Sequence, residues 1–238
     1  MTTQFQERPL FGGAITGTIP QGWLDASDLR QVPDHQEIFL SATTLSNLIV
    51  EINEYVSAQE APPAAAGPGS GTDEENKGVS AALYHLQDLC DEDDTMAIVS
   101  APRRVQLDRL IASSSAAGVT ISISAYAGVV KYTTPKRQRG PHQHQQHIAA
   151  NSNNNSIGDA TASSSAAATP KNSVHSCHFL LVRLPEKQTD LLVFVNVPHD
   201  EFDAQGDSGA LAREEAVASE LVRKFVETID VVDWNLFG

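Results

Sequence analysis

The chain has 238 residues, 41% of them hydrophobic, enough apolar side chain for a core and far above what a wholly unstructured chain carries. Its formal net charge is −14, with 16 Lys and Arg against 30 Asp and Glu. That balance repels a phosphate backbone, so nucleic acid and an anionic membrane surface are disfavoured as partners and a basic protein surface is favoured. Two cysteines, Cys90 and Cys177, offer no disulfide framework. The segment Met1 to Pro9 is polar and unlike a signal peptide, and no run reaches the roughly 18 apolar residues of a membrane span. A soluble intracellular protein with reduced thiols is expected.

Taken in chain order, Ala14 to Ile19 predicts a strand, entered through Gly12-Gly13 and stopped by Pro20. A polar segment from Asp25 to Asp34 leads to a second short strand, Glu37 to Leu40. Leu45, Leu48, Ile49, Ile52 and Val56 then fall at helical spacing, with Thr43 or Thr44 placed to cap the start. On such a helix Asn47, Glu51 and Glu54 share the opposite, solvent face. Residues 59–78 are rich in Ala, Pro and Gly, show no periodicity and predict a disordered insertion. A second helix, Val79 to Cys90, would give Ala82, Leu83, Leu86 and Leu89 to the core, and Asp91 to Asp94 reads as a solvated turn.

Met96 to Val99 predicts a strand, followed by a mixed segment over Val105 to Ile111. Thr120 to Tyr126 alternates as a strand with one wet face and continues through Tyr132. Residues 134–173 are low in complexity and predict a second disordered insertion, lying between two paired strands. His178 to Leu184 and Asp190 to Pro198 are apolar on both faces, as in the middle of a sheet covered on each side. A long helix follows, Leu211 to Ile229, with a core stripe of Leu211, Ala218, Leu221, Val222, Phe225 and Ile229. The apolar tail from Val231 to Phe237 should dock back on the core. The fold class expected is α+β, a layered sandwich around a mainly antiparallel sheet, as one domain over residues 9–238.

Little in this chain supports chemistry. His142, His144 and His147 sit among glutamines with no Cys or carboxylate beside them, whereas a composed zinc site needs about four tetrahedral ligands. His178 should open a strand and point away from Cys177. No phosphate loop, nucleophile elbow, HExxH or CxxC spacing occurs. Tyr84, His85 and Asp88 lie within one helical turn and are the best acid-base candidates, but packing at a helix surface explains them as well. No catalytic residue, cofactor or metal is expected. What remains is acidic surface: Asp25, Asp28, Asp34 and Glu37 crowd one segment with only Arg30 opposing them, and Glu51 and Glu54 follow. Exposed acids contribute little stability, so clustering them suits a docking surface.

Several blocks carry a family likeness. Leu10-Phe11-Gly12-Gly13-Ala14-Ile15 is followed by the segment Asp25 to Phe39, which includes Val32-Pro33-Asp34-His35-Gln36-Glu37. Further blocks are Leu48 to Glu51, Tyr84-His85, Leu184 to Leu192 and the terminal Asn235-Leu236-Phe237-Gly238. Together they resemble the Ran guanine-nucleotide release factors. The resemblance implies an α/β/α sandwich similar to the PsbP protein, Ran as partner, promotion of nucleotide release without enzymatic catalysis, support of nuclear import, and residence in nucleus and cytoplasm. A monomer is expected. It also implies that Asp34, Glu37, Glu51 and Glu54 carry the Ran contact, with Asp25 and Asp28 beside them. The alternatives are an acidic PsbP-like scaffold for another basic protein and, more remotely, an enzyme using Tyr84, His85 and Asp88.

Overall fold

The computed structural model describes residues 3–61, 72–135, 172–203, 207 and 209–237. In chain order the elements are β1 (Phe5–Leu10), β2 (Ile15–Pro20), β3 (Leu24–Asp25), β4 (Gln36–Leu40), β5 (Asn47–Glu54), α1 (Asp73–Asp88) and β6 (Thr95–Val105). They continue with α2 (Asp108–Ala116), β7 (Ser124–Thr134), β8 (Ser173–Leu184), β9 (Thr189–Pro198), α3 (Asp200–Asp203), α4 (Ala210–Thr228) and β10 (Asp230–Val231).

The two strands that are apolar on both faces, β8 and β9, occupy the middle of a seven-stranded antiparallel sheet ordered β3-β4-β5-β9-β8-β7-β6. Alternation along them divides the interior into two cores. Leu180, Val182, Val193 and Val195 face a core shared with Leu221 and Phe225 of α4, Leu110 of α2, and the small sheet β1-β2-β10. Phe179, Leu181, Leu192 and Phe194 face the other core, closed by Ala81, Ala82 and Leu86 of α1. Layers therefore stack as expected, with helices on both faces of an antiparallel sheet. The C-terminal tail docks as expected, for Val231 pairs with Ile15 and Trp234 is buried. β7 and β8 pair from Ser124↔Arg183 out to Thr134↔Ser173, so the low-complexity segment does join two paired strands. Residues 136–171, including His142, His144 and His147, lie outside the described residues, as do 62–71.

Five expectations are corrected. The helix expected from Leu45 to Val56 is the strand β5, and Leu45 is exposed in the turn before it. Its run of Ile49, Val50 and Ile52 is stiff at χ1 and fits a pleated surface, and pairing with both β4 and β9 overrides the helical spacing. The supposed helix cap is instead a hairpin turn, in which the Ser41 hydroxyl accepts from the backbone N–H groups of Thr43 (3.3 Å) and Thr44 (3.2 Å).

Residues 72–78, expected within a disordered insertion, begin α1. The Thr72 hydroxyl accepts from the Glu75 N–H at 3.3 Å, and Asp73, Glu74 and Glu75 place negative charge at the positive end of the helix. Gly78 would have argued against a helix. It is needed because a side chain there would overlap the Tyr126 ring, whose hydroxyl donates to the Glu74 carbonyl at 3.2 Å. The same helix ends at Asp88, leaving Leu89 exposed rather than in the core.

The strand expected from Thr120 begins only at Ser124; the Glu186 carboxylate accepts from the Ser122 hydroxyl (2.8 Å) and from its amide (3.0 Å), a backbone donor that a strand would use. Finally, His178 lies inside β8 rather than opening it. It does point away from Cys177, which faces the α1 core, while the His178 imidazole meets Glu215 of α4 at 2.5 Å.

His199 meets the same carboxylate at 3.2 Å, and Ser176 contacts His199 at 2.8 Å. Burial works to raise the Glu215 carboxyl, but hydrogen bonds from His178 and Ser176 and the charge of the two imidazoles outweigh it and hold it below the ordinary range. A depressed folded-state carboxyl contributes stability above its unfolded pKa and loses it as pH falls through the folded one. Glu215→Gln should therefore be less stable than the parent protein at pH 7, with the difference shrinking below about pH 4. Urea unfolding at both pH values checks this; a difference that grows on acidification would contradict it.

Candidate partner-binding surface

The acids singled out in the sequence belong to one hairpin and its approach. In β4 and β5 Gln36 lies opposite Glu51, and the Ile52 amide donates to the His35 carbonyl at 2.9 Å. The Asp34-His35 turn therefore runs beside the Glu51–Glu54 end of β5, at one end of the main sheet. Sequence proximity and the hairpin register thus bring Asp34, Glu51 and Glu54 to the same sheet end.

They do not share a face. On a strand, side chains alternate, so Glu51 and Glu54 point to opposite sides, contrary to the common face expected from helical spacing. Glu51 follows Ile49 on the α1 side and is half-buried, while Glu54 is on the α4 side and exposed. Asp34 and Asp28 are exposed as well. Asp25 is occupied locally: its carboxylate caps a short 3₁₀ turn by accepting from the Ser27 amide at 2.9 Å and the Ser27 hydroxyl at 2.6 Å.

Glu37 has a structural task that sequence reasoning missed. Its carboxylate accepts from the Phe11 N–H at 2.6 Å, across 26 residues. Phe11 carries φ of 50°, followed by Gly12 at 63° and Gly13 at 94°, so three successive residues are left-handed and the first is not glycine. That conformation is costly for a bulky side chain, and the Glu37 hydrogen bond helps to hold it. Burial, helped by the charge of Asp25, pushes the Glu37 carboxyl above the ordinary range against the opposing pull of the Phe11 N–H and Arg8.

Behind the acidic end lies a buried ionic network. Asp190, fully buried, accepts from the Val56 amide at 3.0 Å and from the Arg183 Nε at 3.0 Å, and meets His85 Nε2 at 2.9 Å. Arg183 also donates to the Val56 carbonyl and lies 4.1 Å from the centre of the Tyr55 ring. The network fixes the chain where it leaves Glu54. Its signal in the sequence was one charge in each of two otherwise apolar strands, directly paired as Arg183↔Asp190. The acid-base trio is not assembled: His85 turns inward to Asp190, while Tyr84 and Asp88 are exposed. Among the described residues no group of three or more His, Cys, Asp or Glu could hold a metal ion, and no helix is long and apolar enough to cross a membrane.

Comparison with known proteins agrees with this architecture. Residues 8–198 match the family model described as Ran-interacting Mog1 protein. The Ran guanine nucleotide release factor of Bos taurus is 39% identical over 84 residues, covering 35% of this chain and 36% of the relative. The nuclear import protein MOG1 of Saccharomyces cerevisiae is 36% identical over 66 residues, covering 23% and 30%. The aligned part thus spans about a third of the length of these curated relatives. A solved structure of the Saccharomyces cerevisiae Ran-binding protein Mog1p superposes with a TM-score of 0.55 at 22% identity, covering 100% of both chains, which shows a common fold. With four-fifths of its residues inside the family match, the chain belongs to the Ran-interacting Mog1 protein family.

Proposed function

We propose that this chain binds the small GTPase Ran through the acidic end of its main sheet and promotes release of the bound guanine nucleotide, in support of nuclear protein import. The observation that carries the reading is the family match over residues 8–198, and relatives named as Ran guanine nucleotide release factors and nuclear import proteins support it. Asp34 and Glu54, both exposed at one sheet end, are the residues offered to a basic partner, with Glu51 and Glu37 half-buried behind them and Asp25 and Asp28 alongside. Residence in nucleus and cytoplasm belongs to the same proposal.

The mechanism asks for no catalytic group. A protein that binds the nucleotide-free GTPase more tightly than the loaded one loosens the nucleotide by the same factor, because coupling between two binding events is reciprocal. Pull-down of nucleotide-free and nucleotide-loaded Ran by the full chain tests this. The nucleotide-free form should be captured in preference, and capture should weaken as salt rises, since charges are screened within about 10 Å at 0.1 M. Equal capture of both forms would sink the release activity, and no capture of either would sink Ran as partner.

A further inference from the structure

The left-handed turn Phe11–Gly13 faces the C-terminal segment across an open cleft of about 410 Å³, lined by Phe11, Gly12, Gly13, Asp233, Asn235 and Leu236. Both lips are pinned. One is held by the Phe11 N–H on Glu37, and the other by the Ala14 carbonyl, which accepts from the amides of Val232 (2.8 Å) and Asp233 (3.1 Å). A side chain added at Gly12 or Gly13 would meet nothing within 4 Å, so the glycines serve the backbone angles and their Cβ positions face open space. Across the cleft, the exposed Asp233 has a carboxylate that accepts from the Asn235 amide at 3.0 Å and from the Asn235 side chain at 2.9 Å, which restrains it.

We propose that this cleft receives one Arg or Lys side chain of the same partner that meets the acidic sheet end. The inference rests on the partner reading above and extends it to a second contact. Three observations select that occupant. The cleft is continuous with the acidic surface, because Phe11 both lines it and hydrogen-bonds Glu37. Its walls, Phe11 and Leu236, are apolar and suit a long aliphatic stem, and a guanidinium or ammonium gains further from an aromatic face. Asp233, among the lining residues, supplies the opposite charge, in a chain whose net charge already favours a basic partner. The hydrogen bonds at both lips keep the cleft formed in advance, which lowers the ordering cost of binding.

The test measures affinity of the full chain for nucleotide-free Ran in three variants, each confirmed folded by circular dichroism. Asp233→Asn keeps an oxygen to accept from Asn235 and removes only the charge; affinity should fall about threefold, as expected for one exposed charge pair. Gly12→Asn adds a side chain that tolerates a left-handed backbone at a residue lining the cleft, where a Cβ meets nothing within 4 Å; affinity should fall about tenfold if an anchoring side chain is displaced. Asp34→Lys reports on the acidic end alone. If both cleft variants bind as the parent protein does while Asp34→Lys binds poorly, the cleft proposal is overturned and the acidic surface stands. If the cleft variants weaken and Asp34→Lys does not, the cleft stands and the acidic assignment falls. If all three bind as the parent does, both are wrong.

Discussion

Replacing Asp190 with alanine is expected to destabilise the protein by about 3–5 kcal/mol, the usual consequence of removing one partner from a buried ion pair. Asp190 is fully buried in the apolar strand β9, opposite Arg183 of β8, and its two oxygens satisfy the Arg183 guanidinium, the Val56 amide and the His85 imidazole. Truncation would strand the Arg183 charge in a site that is itself only 4% exposed, and would leave the Val56 amide without its carboxylate. Each unmade hydrogen bond in such a place costs the desolvation of its donor. Val56 follows Glu54 by two residues, so loosening it should also blur the position of the acidic end. Urea unfolding of the variant gives the number. A loss below about 1 kcal/mol would mean that Arg183 finds water or another partner, and that the network does not anchor the end of β5.

Reading the sequence succeeded where pattern and packing agree. The near-continuous apolar runs of β8 and β9 announced central strands, and the stripe on α4 announced its buried face, with Phe225 fully enclosed. It failed where two periods fit the same residues. Leu48, Ile49, Ile52 and Val56 satisfy a helical stripe, yet Leu48, Val50 and Ile52 satisfy alternation equally well, and partners distant in sequence decide between them. The β-branched content of that run was the local signal for a strand. Similarly, Thr72-Asp73-Glu74-Glu75 carries a helix-capping pattern that composition alone obscured. The acids of the candidate surface were legible as a cluster, but their individual tasks were not. Nothing local tells that Glu37 holds Phe11 or that Asp25 caps a turn, because the first bond crosses 26 residues and the second depends on the turn type. Splitting Glu51 from Glu54 likewise followed only once the strand was known.

Exposure now selects the acids whose reversal leaves the fold alone. Asp34 and Glu54 are both exposed, whereas Glu51 is half-buried against Gln36 and Leu192 and Glu37 holds the Phe11 turn. The double variant Asp34→Lys/Glu54→Lys should keep its circular dichroism spectrum, since exposed charges contribute roughly 0–1 kcal/mol each. Its effect on a basic partner should be far larger, because two attractive charges become repulsive and encounter as well as docking suffers. The decisive measurement is the rate at which a fluorescent nucleotide leaves Ran in the presence of the parent protein and of this variant. The parent protein should accelerate release, and the folded double variant should fall to the rate of Ran alone; a folded variant that releases nucleotide as fast as the parent would show that the acidic end of the sheet is not the surface that acts on Ran.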